Sequence, residues 1–316
     1  MRVYRGLDSI DRPFKDPVVT IGNFDGVHLG HQKIFRKVIE SKRPSSESIV
    51  ITFHPHPLRV LAPERGLKLL TPLDEKIRLI GAMGIDVMVL IDFNKDFSRL
   101  PAEVFIKDIL IDRIGTKHLI VGHNYRFGKG KEGDTRLLRK KAKQYGYAFT
   151  VVRSLRINGQ TVSSSRIRQL LSWGRVCEAS FLLGRAYSIS GRVIKGAGRG
   201  EKILNTPTAN LLTENEIVPR EGVYAVKVLL DGRLYNGVAN IGKNPTFGGT
   251  MPSYEVHLFD FKGNLIGKDI RVYFVDRIRA ERRFPTPEAL RAQIQKDIET
   301  ALFILNEHRV NIDLNV

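Results

Sequence analysis

Apolar residues in the first part of the chain come as short runs rich in branched side chains: 18–21, 48–53, 86–91, 118–121 and 147–152. Between these runs the spacing changes to the three-and-four step of a helix, at Ile34/Val38, Ile77/Ile80, Val104/Phe105/Ile109 and Leu137/Leu138. Strand alternating with helix predicts βαβ units, hence a parallel sheet with helices on both faces. After Ser163 the spacing is helical through Ile167, Leu170 and Leu171, and 175–183 reads as another helix ended by Gly184. From Ala186 the texture changes. Runs at 187–193, 223–230, 234–240, 253–261 and 269–275 read as strands, separated by turns such as Asp231-Gly232 and Lys262-Gly263-Asn264. Successive strands with turn signals predict a small antiparallel barrel. Leu290, Ile294, Ile298 and Leu302 then predict a terminal helix over 287–306 that packs on it.

Composition sharpens this picture. A chain of 316 residues suggests two domains, and the change of texture near 184–187 sets them at 1–185 and 186–316. With 42% hydrophobic and 27% charged residues, the chain is neither disordered nor fibrous. Cys177 is the single cysteine, which excludes an intramolecular disulfide and a Cys-based metal site and fits a reducing, cytoplasmic setting. No apolar run approaches the ~18–20 residues of a membrane span. Residues 1–16 carry acids and no apolar core, so they do not read as a secretory signal.

The net charge of +18 is uneven. Residues 1–185 hold 33 Lys+Arg against 18 Asp+Glu, while 186–316 hold 18 against 15. The stretch 126–199 is densest, with 17 basic and 3 acidic residues. Such a region attracts polyanions: nucleic acid, a membrane surface or a polyphosphate substrate. The run Arg136-Leu137-Leu138-Arg139-Lys140-Lys141-Ala142-Lys143 motivates a nucleic-acid-binding reading, against which stands a solvated helix face.

Four short motifs narrow the chemistry. Gly22-Asn23-Phe24-Asp25-Gly26-Val27-His28-Leu29-Gly30-His31 follows the first strand and opens the first helix. Its glycines permit close backbone approach, the helix start offers N–H groups to an anion, and His28 and His31 stand three apart. The alternatives are a tight turn with two surface histidines, or a metal pair, for which no third ligand is evident. Thr52-Phe53-His54-Pro55-His56-Pro57 ends the second strand, at the edge where open α/β sheets bind ligands; alone it is equally a rigid connection. Gly122-His123-Asn124-Tyr125-Arg126-Phe127-Gly128-Lys129-Gly130 offers aromatic faces, an amide and cations, or is simply a Gly-rich loop. Val162-Ser163-Ser164-Ser165-Arg166-Ile167-Arg168 is either a helix cap or a second anion site. No P-loop sequence occurs, and residues 196–200 fail GxGxxG because Glu201 takes the last glycine position, which argues against a dinucleotide-dependent dehydrogenase.

In this order and spacing the four motifs resemble the FMN adenylyltransferase module of bifunctional bacterial riboflavin kinase/FAD synthetases. The second half is similar to the riboflavin kinase module at Pro207-Thr208-Ala209-Asn210, Gly222-Val223-Tyr224, Asn240-Ile241-Gly242-Lys243-Asn244-Pro245-Thr246-Phe247, Glu255-Val256-His257-Leu258-Phe259-Asp260 and Ile278-Arg279-Ala280-Glu281-Arg282-Arg283-Phe284. The resemblance implies a Rossmann-like nucleotidyltransferase domain followed by a riboflavin-kinase barrel with a terminal helix. It implies phosphorylation of riboflavin by ATP to FMN, adenylylation of FMN by ATP to FAD with release of pyrophosphate, and Mg²⁺ on the phosphates.

For the adenylyltransferase the resemblance implies that His28 and His31 hold the triphosphate, that Gly22 and Phe24 line the nucleotide turn through their backbones, and that Ser164, Ser165 and Arg168 hold the outer phosphates. Phe53, Pro55, His56, Pro57 and Asn124 fall on the flavin side. For the kinase it implies Glu255 as general base, with Thr208 and Asn210 binding Mg²⁺ and ATP phosphate; by residue type alone Glu255 is an ordinary strand carboxylate and PTAN a Pro-led turn. Where the family usually carries Gly and then an aromatic or large apolar residue before PTAN, this chain has Asn205 and Thr206, and where it commonly has Asp-Leu-Tyr-Gly, this chain has Asn264-Leu265-Ile266-Gly267. The first departure motivates a second reading, a monofunctional adenylyltransferase whose barrel only binds flavin. Small-molecule partners, no nucleic acid and no membrane are the expectation; the oligomeric state is left open.

Overall fold

A computed structural model describes residues 1–195, 208–246 and 249–307 of the chain. They divide into two compact units, Met1–Ser163 and Ser164–Val316. The first unit holds strands β1 (Arg2–Arg5), β2 (Val18–Ile21), β3 (Ser48–His54), β4 (Val87–Asp92), β5 (His118–Gly122) and β6 (Ala148–Val152). They form one parallel sheet in the order β1-β4-β3-β2-β5-β6. Its helices are α1 (Leu29–Glu40), α2 (Pro57–Leu61), α3 (Leu73–Ala82), α4 (Lys95–Ser98), α5 (Ala102–Val104), which continues as a π-helix over Phe105–Arg113, and α6 (Thr135–Tyr145). The apolar runs are unbroken because both faces of the sheet are covered. Val19, Ile21, Ile49, Ile51, Val87 and Val89 pack into one core, while Val18, Val50, Met88 and Ile120, pointing the other way, pack into a second with Phe35 and Val38 of α1.

Two elements escaped the reading of the sequence. β1 has only two apolar residues, flanked by arginines, and gains its place by pairing along β4 at the sheet edge. A short hairpin, β7 (Arg156–Ile157) with β8 (Gln160–Thr161), turns at Asn158-Gly159, both with positive φ, as a tight hairpin turn requires. The basic run falls on α6. Leu138, Lys141 and Ala142 face inward, whereas Arg136, Arg139, Lys140 and Lys143 are exposed. Lys141 is paired with Glu103 at 3.0 Å, and Arg139 lies over Phe149.

The second unit opens with α7 (Ser164–Ser172) and α8 (Val176–Leu183), the latter ended by Gly184 in the left-handed region. Six strands follow: β9 (Tyr187–Ile194), β10 (Thr208–Thr213), β11 (Gly222–Leu230), β12 (Arg233–Thr246), β13 (Gly249–Leu258) and β14 (Asp269–Arg279). They close into an antiparallel barrel in the order β10-β13-β12-β11-β14-β9. α9 (Pro287–Glu307) lies on the outside, its Ala301 and Leu305 against Ala225, Phe259 and Val275. Its Asp297, almost fully buried, receives the Arg279 guanidinium through Nε at 2.9 Å and Nη2 at 2.7 Å.

One expectation is corrected. Thr208–Asn210 is not a turn but the start of β10, which pairs with both β9 and β13. Ala209 and Leu211 alternate into the barrel, and closure requires this sixth strand. Residues 196–207 and 247–248 lie outside the described residues, and with them Asn205, Thr206, Pro207 and Phe247; so does the side chain of Thr208.

Candidate active sites

Three of the four motifs sit on neighbouring parallel strands. β2, β3 and β5 are adjacent in the sheet, so the turns that follow them meet at one edge. β2 is also where the strand order reverses: the chain moves to β3 on one side and later to β5 on the other. Such a switch point leaves a crevice at the carboxyl edge.

The turn after β2 is tightly built. Phe24 and Val27 both have positive φ, and their side chains are buried in the core beside Phe35, which leaves the backbone to face a ligand. A Cβ on Gly22 would stand 2.9 Å from the Phe24 ring, and one on Gly30 would stand 3.1 Å from the His28 ring and 3.7 Å from the Val162 carbonyl oxygen. Gly30 is therefore what lets the His28 imidazole lie back over the helix start. Asp25 fixes the far side by accepting from the Leu70 N–H at 3.0 Å and the Thr71 N–H at 3.3 Å, while Gly26 N–H donates to Thr71 Oγ1 at 3.2 Å.

His28 and His31 stack, with centroids 3.6 Å apart and planes 17° apart. His28 is the N-cap of α1, its Nδ1 accepting from the His31 N–H at 3.3 Å. That bond puts the ring proton on Nε2, the nitrogen able to donate to an anion. His31 Nδ1 is buried and has no hydrogen-bond partner in the structure. Burial, with His28 and Lys76 nearby, holds the His31 pKa well below the usual histidine range, so the ring is neutral at pH 7. A stacked, desolvated pair at a helix N-terminus beside a cation is poorly suited to another cation and well suited to phosphate.

The loops after β3 and β5 lie at the same edge of the first unit's sheet as the turn after β2. Phe53 packs edge-on to Phe93 at 5.6 Å. His56 is buried as the N-cap of α2, its Nδ1 accepting from the Leu58 N–H at 3.1 Å, and Pro57 occupies the first turn. Pro55 is half-buried between His54 and this cap. Burial, aided by Lys76, Arg5 and Arg59, lowers the His54 pKa. Asn124 is exposed just beyond β5, and Tyr125 stacks on Phe127 at 5.5 Å. In the second unit Ser164, Ser165 and Arg168 occupy the first turns of α7, whose Ile167, Leu170 and Leu171 are buried. The contacts that Asp25 makes with the Leu70 N–H, and Lys76 with the Asn23 carbonyl oxygen, were not legible in the sequence, because they span 45 and 53 residues.

In the barrel the register assembles the site. Glu255 on β13 lies directly opposite Asn210 on β10 and opposite Asn240 on β12, so the three share one face. Val256 and Leu258 point into the barrel, leaving Glu255, His257 and Phe259 on the outer side. Ser253 Oγ donates to Glu255 Oε1 at 3.3 Å. A Cβ on Gly242 would collide with the Glu281 carboxylate, which places a second acid on the same face. Among the described residues no group of three His, Cys, Asp or Glu could hold a metal ion. The oxygen donors present, Asn210 and Glu255, suit a hard cation that keeps water and substrate phosphate in its shell.

Comparison with known proteins agrees with this division. Residues 11–166 match the FAD synthetase family and residues 183–305 the riboflavin kinase family. The bifunctional riboflavin kinase/FMN adenylyltransferase of Buchnera aphidicola from Acyrthosiphon pisum is 39% identical over 98% of this chain and 100% of its own. That of Escherichia coli K12 is 39% identical over 95% of this chain and 97% of its own. A solved structure described as a macrolide-efflux protein from Streptococcus pneumoniae aligns with a TM-score of 0.88 and 30% identity, covering 96% of this chain and 99% of that one. No helix among the described residues is long and apolar enough to cross a membrane. With a FAD synthetase domain and a riboflavin kinase domain in one chain, matched almost end to end by relatives that carry both, the chain belongs to the bifunctional riboflavin kinase/FMN adenylyltransferases.

Proposed function

We propose that the two reactions use two separate sites, adenylyl transfer within residues 1–185 and riboflavin phosphorylation within 186–316. The observation that carries this reading is the pairing of two unlike constellations: stacked His28 and His31 at a helix start, and Glu255 in register with Asn210. In the first reaction an FMN phosphate oxygen attacks the α-phosphorus of ATP, and the bond to the bridging oxygen of pyrophosphate breaks. Positioning and charge stabilisation carry such a transfer. His28 and His31 donate to the phosphate oxygens as charge builds on them, with the backbone at Gly22 and Phe24 against the nucleotide. Ser164, Ser165 and Arg168 hold the outer phosphates and the departing pyrophosphate. Phe53, Pro55, His56, Pro57 and Asn124 form the flavin side, His56 indirectly, by capping α2.

In the second reaction the 5′-hydroxyl of riboflavin attacks the γ-phosphorus of ATP and loses its proton to Glu255, while the bond from the γ-phosphorus to the bridging oxygen breaks and ADP leaves. Thr208 and Asn210 would hold the metal and the ATP phosphates. Mg²⁺, when bound, would supply charge neutralisation on the polyphosphate. The enzyme acts in the cytoplasm on small molecules, a reading supported by its single cysteine, which has no second cysteine in the chain to pair with.

The test is chromatography of pure protein incubated with riboflavin, ATP and Mg²⁺. FMN should appear first and FAD after it. FAD formed only when FMN is supplied would leave the barrel as a flavin-binding module.

A further inference from the structure

Behind the nucleotide turn lies a charged group that no motif contains. Lys76 projects from α3 and is 8% exposed. Its ammonium reaches two oxygens, Asn23 O at 3.5 Å and Thr52 Oγ1 at 3.4 Å. Thr52 Oγ1 itself donates to Asn23 O at 3.3 Å, which closes a triangle. Asn23 belongs to the turn after β2, and Thr52 to the end of β3 beside Phe53. Lys76 thus ties the loop on the nucleotide side to the loop on the flavin side.

These contacts are long, at the outer limit of hydrogen bonding, and they leave the ammonium poorly compensated. The titratable groups facing it are Asp25 in the turn, whose carboxylate is already engaged by Leu70 and Thr71, and two histidines whose pKa values are lowered, His31 on α1 and His54 at the end of β3. A buried cation in such a place costs stability on its own. A polyanion arriving in front of the turn would offset that cost.

We propose that Lys76 is a positioning residue for adenylyl transfer: its buried ammonium locks the turn after β2 to the end of β3 and supplies positive charge, from behind, to the phosphates bound in front. This rests on the placement of the triphosphate at His28 and His31 given above. It has a consequence for pH. Burial lowers the Lys76 pKa to about 8, with Asp25 opposing the shift. The proton is held below that value and lost above it, so the charge behind the turn disappears on the alkaline side. FAD formation should therefore decline as pH rises through about 8, with the decline seen in kcat/KM.

The experiment compares wild type, Lys76→Met, Lys76→Arg and His31→Ala as full-length chains. Steady-state FAD formation from FMN is followed from pH 6.5 to 9.5, a working range of roughly this width being needed to frame one titration. Circular dichroism and thermal melting of each variant report folding of the unit that holds Lys76, and riboflavin phosphorylation in the same samples reports the barrel. Lys76→Met should lower kcat/KM for both ATP and FMN by roughly 10–100-fold at pH 7 and abolish the alkaline limb, with phosphorylation unchanged. Lys76→Arg, which keeps the charge at every pH, should recover part of the activity and move the limb out of range. A folded Lys76→Met enzyme with unchanged kcat/KM overturns the proposal. So does one that is slower yet keeps the wild-type alkaline limb, since the lysine would then serve packing alone. If His31→Ala also leaves FAD formation intact, the placement of the triphosphate fails as well; if only His31→Ala is damaging, the placement stands and the role of Lys76 falls.

Discussion

The two units build their sites by different means. In the parallel sheet the candidate site residues come from turns, at the carboxyl ends of β2, β3 and β5, and each turn is a nearly continuous stretch of sequence. In the barrel they come from strands, and what brings Asn210, Asn240 and Glu255 together is antiparallel register across three strands. The first kind of site depends on local backbone shape: positive φ at Phe24 and Val27, and glycine at 22 and 30 where a Cβ would strike an aromatic ring. The second depends on the barrel closing in the right register, because a slip of one residue would turn Glu255 into the interior. The charge differs too. The excess of basic residues lies in 1–185, the part to which we assign the meeting of two polyanions, FMN and ATP; the proposed kinase site brings one polyanion to a neutral flavin.

This contrast suggests changes that should damage one reaction and spare the other. The largest effect is expected from the histidine pair. His28→Ala or His31→Ala removes a preorganised donor, which costs ~3–4 kcal/mol in the transition state, or roughly 10²–10³ in the rate of FAD formation. Riboflavin phosphorylation should continue at the wild-type rate. Glu255→Gln keeps the size and polarity of the side chain but removes the base. It should lower kinase turnover by roughly 10²-fold with little change in ATP affinity, and FAD formation from FMN should be untouched. Unchanged turnover in single-turnover experiments would remove Glu255 from the mechanism.

Smaller effects test the supports. Arg279→Met strands the buried Asp297 carboxylate without its guanidinium and should destabilise the barrel unit by ~3 kcal/mol. Calorimetry should show the loss in one transition only, with FAD formation from FMN retained below that transition. Gly30→Ala puts a methyl group 3.1 Å from the His28 ring. The ring must shift by a few tenths of an ångström, and FAD formation should fall by roughly tenfold. Equal loss of both activities in a folded Gly30→Ala enzyme would contradict the separation of the sites.

The same contrast explains what could be read from the sequence. The turn motifs are contiguous, so their residue types and order disclose phosphate chemistry, and the unbroken apolar runs disclose a sheet buried on both faces. Asp25 and Lys76 were silent because a carboxylate in a turn and a lysine in an amphipathic helix are ordinary until the fold supplies Leu70, Thr71, Asn23 and Thr52 as neighbours. β1 was silent because its two arginines mask a pattern completed only by pairing with β4. In the barrel the strand character of Thr208–Thr213 was hidden behind Pro207, and its meeting with Glu255 is a long-range pairing that no local pattern encodes. The carboxylate of Glu281 beside Gly242 is of the same kind.

The separation of the two sites is most directly tested by the product profile of His31→Ala supplied with riboflavin, ATP and Mg²⁺. FMN should accumulate to the level set by the riboflavin added, with FAD formation reduced by roughly 10²–10³. Loss of FMN formation in this folded variant, or FAD formed at the wild-type rate, would contradict the assignment of the two reactions to two sites.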